Sequence, residues 1–251
     1  MVTVKSESEI AVMKKAGAIL ADVLALVEEH AKPGVTTKYL DKLAYEYIIR
    51  QNAVPSFLNY DGFPATLCLS IDDEIVHGIP SDKRVLEEGM LLKVDGGVGI
   101  GGMHTDAARS VAIGRISAEK AQLARCCKEC FFEGIKVLKD GARLGDYGAV
   151  CQKYAESHGY GVVRELVGHG IGATVHEDPS IPNYGMRGRG MRVVSGMTLA
   201  IEPMINLGTR RVVQTEGDDW TILTADGKPS AHYENTIVIR PEGVEIITLK
   251  A

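Results

Sequence analysis

Two aspartates on either side of a glycine-rich segment constrain the fold more than any other part of this chain. Residues 91–111 read LLKVDGGVGIGGMHTDAARSV, so Asp95 and Asp106 flank GGVGIGG. Turn residues between two apolar runs predict a hairpin, and a tip near residues 100–101 places the aspartates opposite each other. Directly opposed side chains lie about 5 Å apart, where like charges destabilise a sheet. We therefore expect one protonated carboxylic acid or a bound cation; two independent loop aspartates are the alternative.

Three more side chains in apolar or glycine-rich surroundings are candidates to share that cation. Glu202 lies within LAIEPMI, and Glu234 precedes the apolar run TIVIR. Unpaired charges are rarely buried, so each glutamate needs a partner, for which an isolated salt bridge is one alternative. His169 lies in GHGIG, where each glycine disfavours a helix by about 1 kcal/mol. This histidine therefore belongs to extended or looped chain.

Together, five side chains have the chemistry of a metal centre: Asp95, Asp106, His169, Glu202 and Glu234. Oxygen-rich ligation with a single imidazole suits Mn, Co, Fe or Zn. Two ions about 3.5–4 Å apart commonly share bridging carboxylates. The ligand types therefore favour a site for divalent metal ions, with two ions as the arrangement that uses all five groups.

The spacing of apolar residues predicts two helices near the start of each half of the chain and strands in the rest of each half. Helices are expected after the capping box at residues 6–9, after Thr36, from Ser117 to about residue 138, and over about 144–157. Strands are expected at 67–71, 90–95, 108–114, 198–205, 211–215, 220–224, 234–240 and 244–249. Asp226-Gly227 and residues 241–243 are typical of hairpin turns.

The two halves of the chain resemble each other at an offset of 107 residues. Lys32, Gly34 and Tyr47 match Lys139, Gly141 and Tyr154. Both segments read as a loop, a helix and then strands, which favours two similar αβ halves. No linker rich in Pro, Gly or Ser interrupts the chain, so we expect one domain spanning residues 1–251.

Charge and cysteine content narrow the choice of partners and compartment. The net charge of −5 argues against nucleic acid or an anionic membrane as the main partner. No apolar run reaches the roughly 18 residues of a membrane span, and the N-terminus lacks a signal peptide pattern. Five cysteines, an odd number, fit reduced thiols, and CCKEC at 126–130 lacks the second pair of a structural zinc site. We expect a cytoplasmic protein with buried helical thiols.

Five short motifs occur in the order found in type I methionine aminopeptidases. They are VHGIP (76–80), VDGG with HTDAARS (94–110), GHGIG with VHE (168–177), IEPM (201–204) and AHYENT (231–236). The chain resembles this family over essentially its whole length. The resemblance implies the α+β "pita-bread" fold shared with creatinase, prolidase and aminopeptidase P. In that fold, pseudo-twofold αβ halves form a central antiparallel sheet covered by helices.

The resemblance assigns the four acids and the one histidine to two divalent ions, which are Co, Mn, Fe or Zn. By this resemblance, Asp95 binds one ion, while His169 and Glu202 bind the other. Asp106 and Glu234 bridge both ions. The identity of the physiological metal does not follow from these residues, because mixed N/O sites bind several divalent ions.

The resemblance also implies catalytic residues and a methionine pocket. Glu202 is expected to act as general base, His176 to stabilise the developing oxyanion, and His77 to position the scissile amide. The residues expected to bind substrate are these two histidines and the pocket wall Phe57, Tyr60, Phe63, Cys68 and Trp220. The implied activity is removal of the N-terminal methionine from peptides and nascent proteins, with a small second residue preferred.

Other enzymes and roles on this fold are the alternatives. An X-Pro dipeptidase or aminopeptidase P carries an extra N-terminal domain, for which the stretch before His77 is short. A non-catalytic binding protein is expected to have lost metal ligands, and none is missing here. We expect a monomer. The basic residues Arg187, Arg189 and Arg192 favour a solvated loop, with a transient ribosome contact or a substrate contact as the alternatives.

Overall fold

Residues 2–250, which the computed structural model describes, contain four α-helices. They are α1 (Glu7–His30), α2 (Thr37–Arg50), α3 (Ala118–Ile135) and α4 (Leu144–Ser157). The predicted capping residues begin three of them: Ser6, Thr36 and Ser117 each accept a hydrogen bond from the backbone N–H three residues later. Such caps satisfy N–H groups that a helix leaves free at its start. The helix predictions are confirmed.

The same residues contain fifteen mostly short strands. They are β1 (Val54–Pro55), β2 (Leu67–Ile71), β3 (Glu74–Val76), β4 (Leu91–Ile100), β5 (Met103–Ala112), β6 (Gly161–Val162), β7 (Gly168–Gly170), β8 (Glu177–Ile181), β9 (Thr198–Ile201), β10 (Met204–Asn206), β11 (Val212–Gln214), β12 (Ile222–Thr224), β13 (Ser230–His232), β14 (Asn235–Arg240) and β15 (Gly243–Ile246). All pairings between them are antiparallel.

Two larger sheets carry the fold, and helices cover them. In the first sheet, β4 pairs with β1, β2 and β5; in the second, the order is β15-β14-β9-β7-β8. The apolar faces of α1 and α2 pack with the first sheet around Leu20, Leu40 and Val94. Helices α3 and α4 pack with the second sheet around Phe131 and Leu199. Two three-stranded sheets, β13-β10-β6 and β11-β12-β3, complete the described part of the chain.

The offset of 107 residues seen in the sequence holds in the structure. Adding 107 to both bounds of α2 gives both bounds of α4. The N–H of Gly34 donates to Leu86 O at 2.8 Å, and the N–H of Gly141 donates to Val193 O at 2.9 Å, so donors and acceptors are both 107 residues apart. The prediction of two similar αβ halves is therefore confirmed.

The aligned tyrosines show the same relation through their side chains. The Tyr47 hydroxyl donates to Asp22 at 3.1 Å, and the Tyr154 hydroxyl donates to Glu129 at 3.0 Å. Both acids lie on the preceding helix of their half, again 107 residues apart. The same shift takes Leu91, where β4 begins, to residue 198, where β9 begins.

The hairpin of β4 and β5 is present, but its predicted register is wrong. Asp95 lies opposite Ala108, and Asp106 lies opposite Gly97. The tip is at residues 101–102, where both glycines have positive φ (56° and 77°); two-residue hairpin turns require this conformation. The aspartates therefore share one face as diagonal neighbours, not as a directly opposed pair. The alternative of two independent loop aspartates is also wrong.

Two further strand predictions need correction. The segment 198–205 is not one strand: β9 ends at Ile201 and β10 begins at Met204, because Pro203 has no N–H to continue the ladder. The turn at Asp226-Gly227 joins β12 to β13, which lie in different sheets, so it closes no hairpin. Residues 241–243 do close the predicted hairpin between β14 and β15.

The cysteines and the hydropathy of the helices agree with the sequence analysis. All five cysteines are buried and unpaired, and three of them lie on α3. Among residues 2–250, no helix is long and apolar enough to cross a membrane. Arg187, Arg189 and Arg192 are exposed in the loop before β9.

Candidate active site

One cavity of about 160 Å³ is lined by every side chain that the sequence analysis assigned to metal or substrate. The predicted residues are Phe57, Tyr60, Phe63, Cys68, His77, Asp95, Asp106, His169, His176, Glu202, Trp220 and Glu234. The lining also includes residues that the sequence analysis did not single out: Val76, Leu166, Val167, Met204 and His232. Residues separated by more than 170 positions thus meet at one place.

Backbone contacts between the two larger sheets bring the acids together. Glu234 and Ala108 exchange hydrogen bonds through their N–H and C=O groups, at 3.0 and 3.3 Å. The N–H of Asp106 donates to Thr236 Oγ1 at 2.9 Å, and that hydroxyl donates to Asp106 O at 2.9 Å. Strand β5 is thereby joined to the chain around β14. This junction fixes the two bridging candidates relative to each other.

The four carboxylates are held in an environment that opposes their negative charge. Burial raises the pKa of Asp95 to about 7, and it raises the pKa of Asp106, Glu202 and Glu234 well above the usual range. Asp95, Asp106 and Glu234 each have one buried carboxylate oxygen without a hydrogen-bond partner in the described structure. Unpaired buried charge is costly, so these groups need either a proton or a bound cation.

His169 is a neutral imidazole whose free nitrogen lone pair faces those acids. Its Nδ1 makes a hydrogen bond with Gly170 O at 2.9 Å, which fixes the proton on Nδ1 and leaves the Nε2 lone pair free. Nε2 faces Glu202 Oε1 at 3.5 Å and Asp106 Oδ2 at 3.9 Å. Burial lowers the pKa of His169 to about 3, so the ring stays neutral, as metal ligation requires.

Two sets of donor atoms in the cavity are close enough to hold an ion. They are Asp106, His169 and Glu234, and Asp95, His232 and Glu234; within each set the donor atoms lie within 4.8 Å of one another. Carboxylate oxygen with imidazole nitrogen is a donor set for divalent transition metals. The residues therefore fit a metal centre with Glu234 common to both sets.

His232 is the functional candidate that the sequence analysis missed. It lies two residues before Glu234 in AHYENT, and alternate residues of extended chain point to the same side. That spacing was a usable signal, but the family motif drew attention to the glutamate alone. The ring of His232 is 1% exposed and lies among the acids.

Two further histidines, His77 and His176, line the cavity. His176 is exposed at its mouth, and its Nδ1 lies 3.0 Å from the Tyr60 hydroxyl. His77 has φ of 62°, a left-handed conformation that is rare for residues other than glycine and is often found at functional sites. Burial lowers the pKa of His77 to about 4, so this ring is neutral at ordinary pH.

An apolar wall adjoins the acids. Phe57, Phe63 and Cys68 are buried, and Phe63 meets Trp220 edge to face with ring centroids 5.2 Å apart. Cys68 lies opposite Asp95 in the ladder of β2 and β4, so the wall begins one strand away from the acids. Burial also raises the pKa of the Cys68 thiol, which keeps it uncharged.

This fold is that of a known class of enzyme. Residues 11–241 match the family model of Metallopeptidase family M24. The chain therefore belongs to metallopeptidase family M24, with the pita-bread fold that the motifs implied. The expected α+β architecture and the expectation of a metal-dependent peptide hydrolase are confirmed.

Within that family, the resemblance to methionine aminopeptidases is also confirmed. The chain is 52% identical over 249 residues to the methionine aminopeptidase of Clostridium acetobutylicum, which covers 99% of both chains. It is 42% identical over 248 residues to methionine aminopeptidase 1 of Bacillus subtilis, again with 99% of both covered. The crystal structure of the Thermotoga maritima methionine aminopeptidase superposes with a TM-score of 0.97 at 41% identity, covering 100% of both chains.

More distant enzymes share the fold alone. The Xaa-Pro dipeptidase of Bacillus anthracis superposes with a TM-score of 0.79 at 22% identity. The match covers 99% of this chain but 62% of that enzyme. At this identity, the likeness does not carry substrate specificity.

Proposed function

We propose that this chain removes the N-terminal methionine from peptides and nascent proteins, using two divalent ions held by Asp95, Asp106, His169, Glu202 and Glu234. One observation carries the proposal. Buried carboxylates with unpaired oxygens line the same cavity as an apolar, aromatic wall. Such a cavity holds cations and an apolar side chain side by side. Two relatives that align with this chain over 99% of both sequences are named methionine aminopeptidases.

Bound divalent ions supply Lewis acidity, which lowers the pKa of a water molecule and polarises a carbonyl group. Glu202 accepts the proton of the attacking water and delivers it to the leaving amine. Its side chain is 12% exposed, against 4% for Asp106 and 3% for Glu234, so it is more accessible to water and substrate. Asp106 and Glu234 act by holding the positively charged ions in place.

His176 stabilises the oxygen of the scissile carbonyl. When the Tyr60 hydroxyl, 3.0 Å away, donates to Nδ1, the ring proton lies on Nε2. That N–H can then donate to the developing negative charge. His77, whose backbone has the strained left-handed conformation, contacts the scissile amide and orients it. Both roles need neutral rings.

The wall formed by Phe57, Tyr60, Phe63, Cys68 and Trp220 binds the methionine side chain. A thioether gains about 0.3–1.5 kcal/mol from contact with an aromatic ring. The free α-amine lies next to the carboxylates, which restricts cleavage to the first peptide bond. A preference for small second residues follows from the resemblance to the family.

We further propose that the protein acts in the cytoplasm as a monomer on nascent chains. Its five unpaired cysteines support a reducing compartment. The exposed arginines 187, 189 and 192 are available for a ribosome contact, which stays a prediction. Cobalt, manganese, iron and zinc all suit the donor set, so each of the four ions is compared in the hydrolysis assay below.

Hydrolysis of three peptides by chelator-treated protein tests the function. With Mn²⁺, Co²⁺, Fe²⁺ or Zn²⁺ added back, Met-Ala-Ser should be cleaved, while Leu-Ala-Ser and Ala-Pro should not. Asp106→Asn should lose more than about 100-fold in turnover, because even outer-shell partners of metal sites contribute 10–100-fold. Asp82→Asn, at an exposed aspartate, is the matched control. Cleavage of Ala-Pro in preference to Met-Ala-Ser, or full activity of Asp106→Asn, would contradict the proposal.

A further inference from the structure

The backbone of His232 is fixed on three sides, so its ring has a defined direction. Its N–H donates to Ser110 Oγ at 3.1 Å, and the Ser110 hydroxyl donates to His232 O at 2.9 Å. His232 also lies opposite Met204 in the ladder of β10 and β13. The side chain therefore enters the cavity from a rigid sheet, beside the acids.

The ring nitrogens of His232 lack the partners that a buried imidazole normally has. Nε2 lies 3.6 Å from Glu202 Oε2 and 3.7 Å from Glu234 Oε2. Neither Nδ1 nor Nε2 has a hydrogen-bond partner among the described residues. A separation of 3.6 Å is too long for a hydrogen bond. A hydrogen bond therefore does not explain why the imidazole lies there.

The same separations suit donors that share one ion. Nitrogen and oxygen donors lie about 2.0–2.2 Å from a metal such as zinc, so two donors on one ion are roughly 3–4 Å apart. A ring nitrogen of His232, a carboxylate oxygen of Asp95 and one of Glu234 all lie within 4.8 Å of one another, and Nε2 is the nitrogen that faces Glu234. Asp95 and Glu234 also each have a buried carboxylate oxygen that lacks a hydrogen-bond partner.

We propose that His232 is a direct ligand of one of the two divalent ions, through Nε2, together with Asp95 and Glu234. This inference rests on the metal centre described under Proposed function. Each ion then has one imidazole: His169 on the side of Asp106, and His232 on the side of Asp95. Imidazole suits Zn, Co, Fe and Ni, whereas all-oxygen sites suit Mg and Mn. The ion beside Asp95 is therefore expected to be Zn, Co, Fe or Ni in preference to Mg or Mn.

Proton NMR of the cobalt-loaded wild-type protein tests this without any substitution. The N–H proton of an imidazole bound to Co²⁺ has a strongly shifted, solvent-exchangeable resonance. At two Co²⁺ per chain, we expect two such resonances, one from His169 and one from His232. A single resonance at this stoichiometry would overturn the proposal.

His232→Gln separates ligation from packing, with His158→Gln at an exposed histidine as the matched control. In His232→Gln, one shifted resonance should disappear, and calorimetry should show one of the two Co²⁺ ions bound at least about 10-fold more weakly. Mn²⁺ affinity at that site should fall less than Co²⁺ affinity. Two unchanged resonances and unchanged affinities in His232→Gln would refute the assignment.

Failure of the metal centre and failure of this inference give different results. If the wild-type protein binds no Co²⁺ and cleaves no methionine peptide, the proposed function is wrong and the inference falls with it. If it binds two ions and cleaves Met-Ala-Ser but has only one ligating imidazole, only the role of His232 is wrong.

Discussion

Stripping the metal from this protein should make its stability fall as the pH rises from 4 to 8. Burial raises the pKa of Asp95 from an ordinary value of 3.8 to about 7 in the folded chain, while the unfolded chain keeps an ordinary aspartate. The folded state thus holds a proton that the unfolded state has released. The stabilising contribution of Asp95 is complete below about pH 4 and is lost as the pH rises through about 7.

The size of this effect follows from the shift in proton affinity. A rise from 3.8 to about 7 is a little more than a thousandfold, and each factor of ten is about 1.4 kcal/mol. Asp95 alone therefore accounts for about 4 kcal/mol between pH 4 and pH 8. Typical domains are stable by roughly 5–15 kcal/mol, so the loss should be obvious. Divalent ions should reverse it, because they bind the ionised carboxylate.

Urea unfolding of the chelator-treated protein, followed by the fluorescence of Trp220, measures this dependence. The free energy of unfolding of the wild type should decrease from pH 4.5 to pH 8 relative to that of Asp95→Asn, which lacks the titrating group. Asp82→Asn should behave like the wild type. If the wild type and Asp95→Asn show parallel pH profiles, burial does not perturb Asp95 as described, and the reasoning fails.

Three substitutions test other contacts. Tyr60→Phe removes the hydroxyl that orients His176, so kcat in a peptide-hydrolysis assay should fall about fivefold, equal to about 1 kcal/mol, with KM unchanged; an unchanged kcat would contradict this role. Trp220→Ala shortens the aromatic wall, so KM for Met-Ala-Ser should rise about fivefold, and an equal effect on poor substrates would argue against a methionine pocket. Gly17→Ala gains about 1 kcal/mol of helix propensity, but its Cβ would lie 2.0 Å from Ile247 O. Urea unfolding should show a net loss of about 1–3 kcal/mol, and a gain would show that α1 moves away freely.

The sequence was sufficient for those features that depend on local rules. The caps at Ser6, Thr36 and Ser117 are short-range hydrogen bonds, so the pattern of residues determines where the helices begin. The internal repeat was visible because matched loops need the same residue types in both halves. Gly34 and Gly141 are examples, since each donates to a loop residue that precedes a strand, Leu86 before β4 and Val193 before β9.

The register of the hairpin could not be predicted from the residue pattern alone. GGVGIGG allows several tips, and a shift of one residue moves the pairing of every side chain by two positions. The observed tip at residues 101–102 pairs Asp95 with Ala108. Alternation along the strands could predict that the two aspartates share a face, but it could not distinguish diagonal from direct neighbours.

The composition of the site was predictable only in part. Motif resemblance located twelve lining residues, all of which border one cavity. His232 was not predicted, because its proximity to Asp95 and Glu202 arises from the meeting of β13 with two other sheets. The spacing of His232 and Glu234 could indicate a shared side, but the sequence gives no information on contacts between separate sheets. The two donor sets with a shared glutamate could likewise be recognised only from distances in the folded chain.

The two halves supply the candidate metal ligands jointly, so activity depends on both halves being folded together. Residue 95 shifted by 107 is residue 202, so the two halves contribute acids from corresponding positions, Asp95 after the start of β4 and Glu202 after β9. The donors from β4 and β5 lie before α3, and the other three lie after it. A chain cut between residues 112 and 118 would yield two fragments that each carry an incomplete set of donors. Hydrolysis of a methionine peptide by the mixed fragments would then show that they reassociate, with bound metal linking ligands from both fragments.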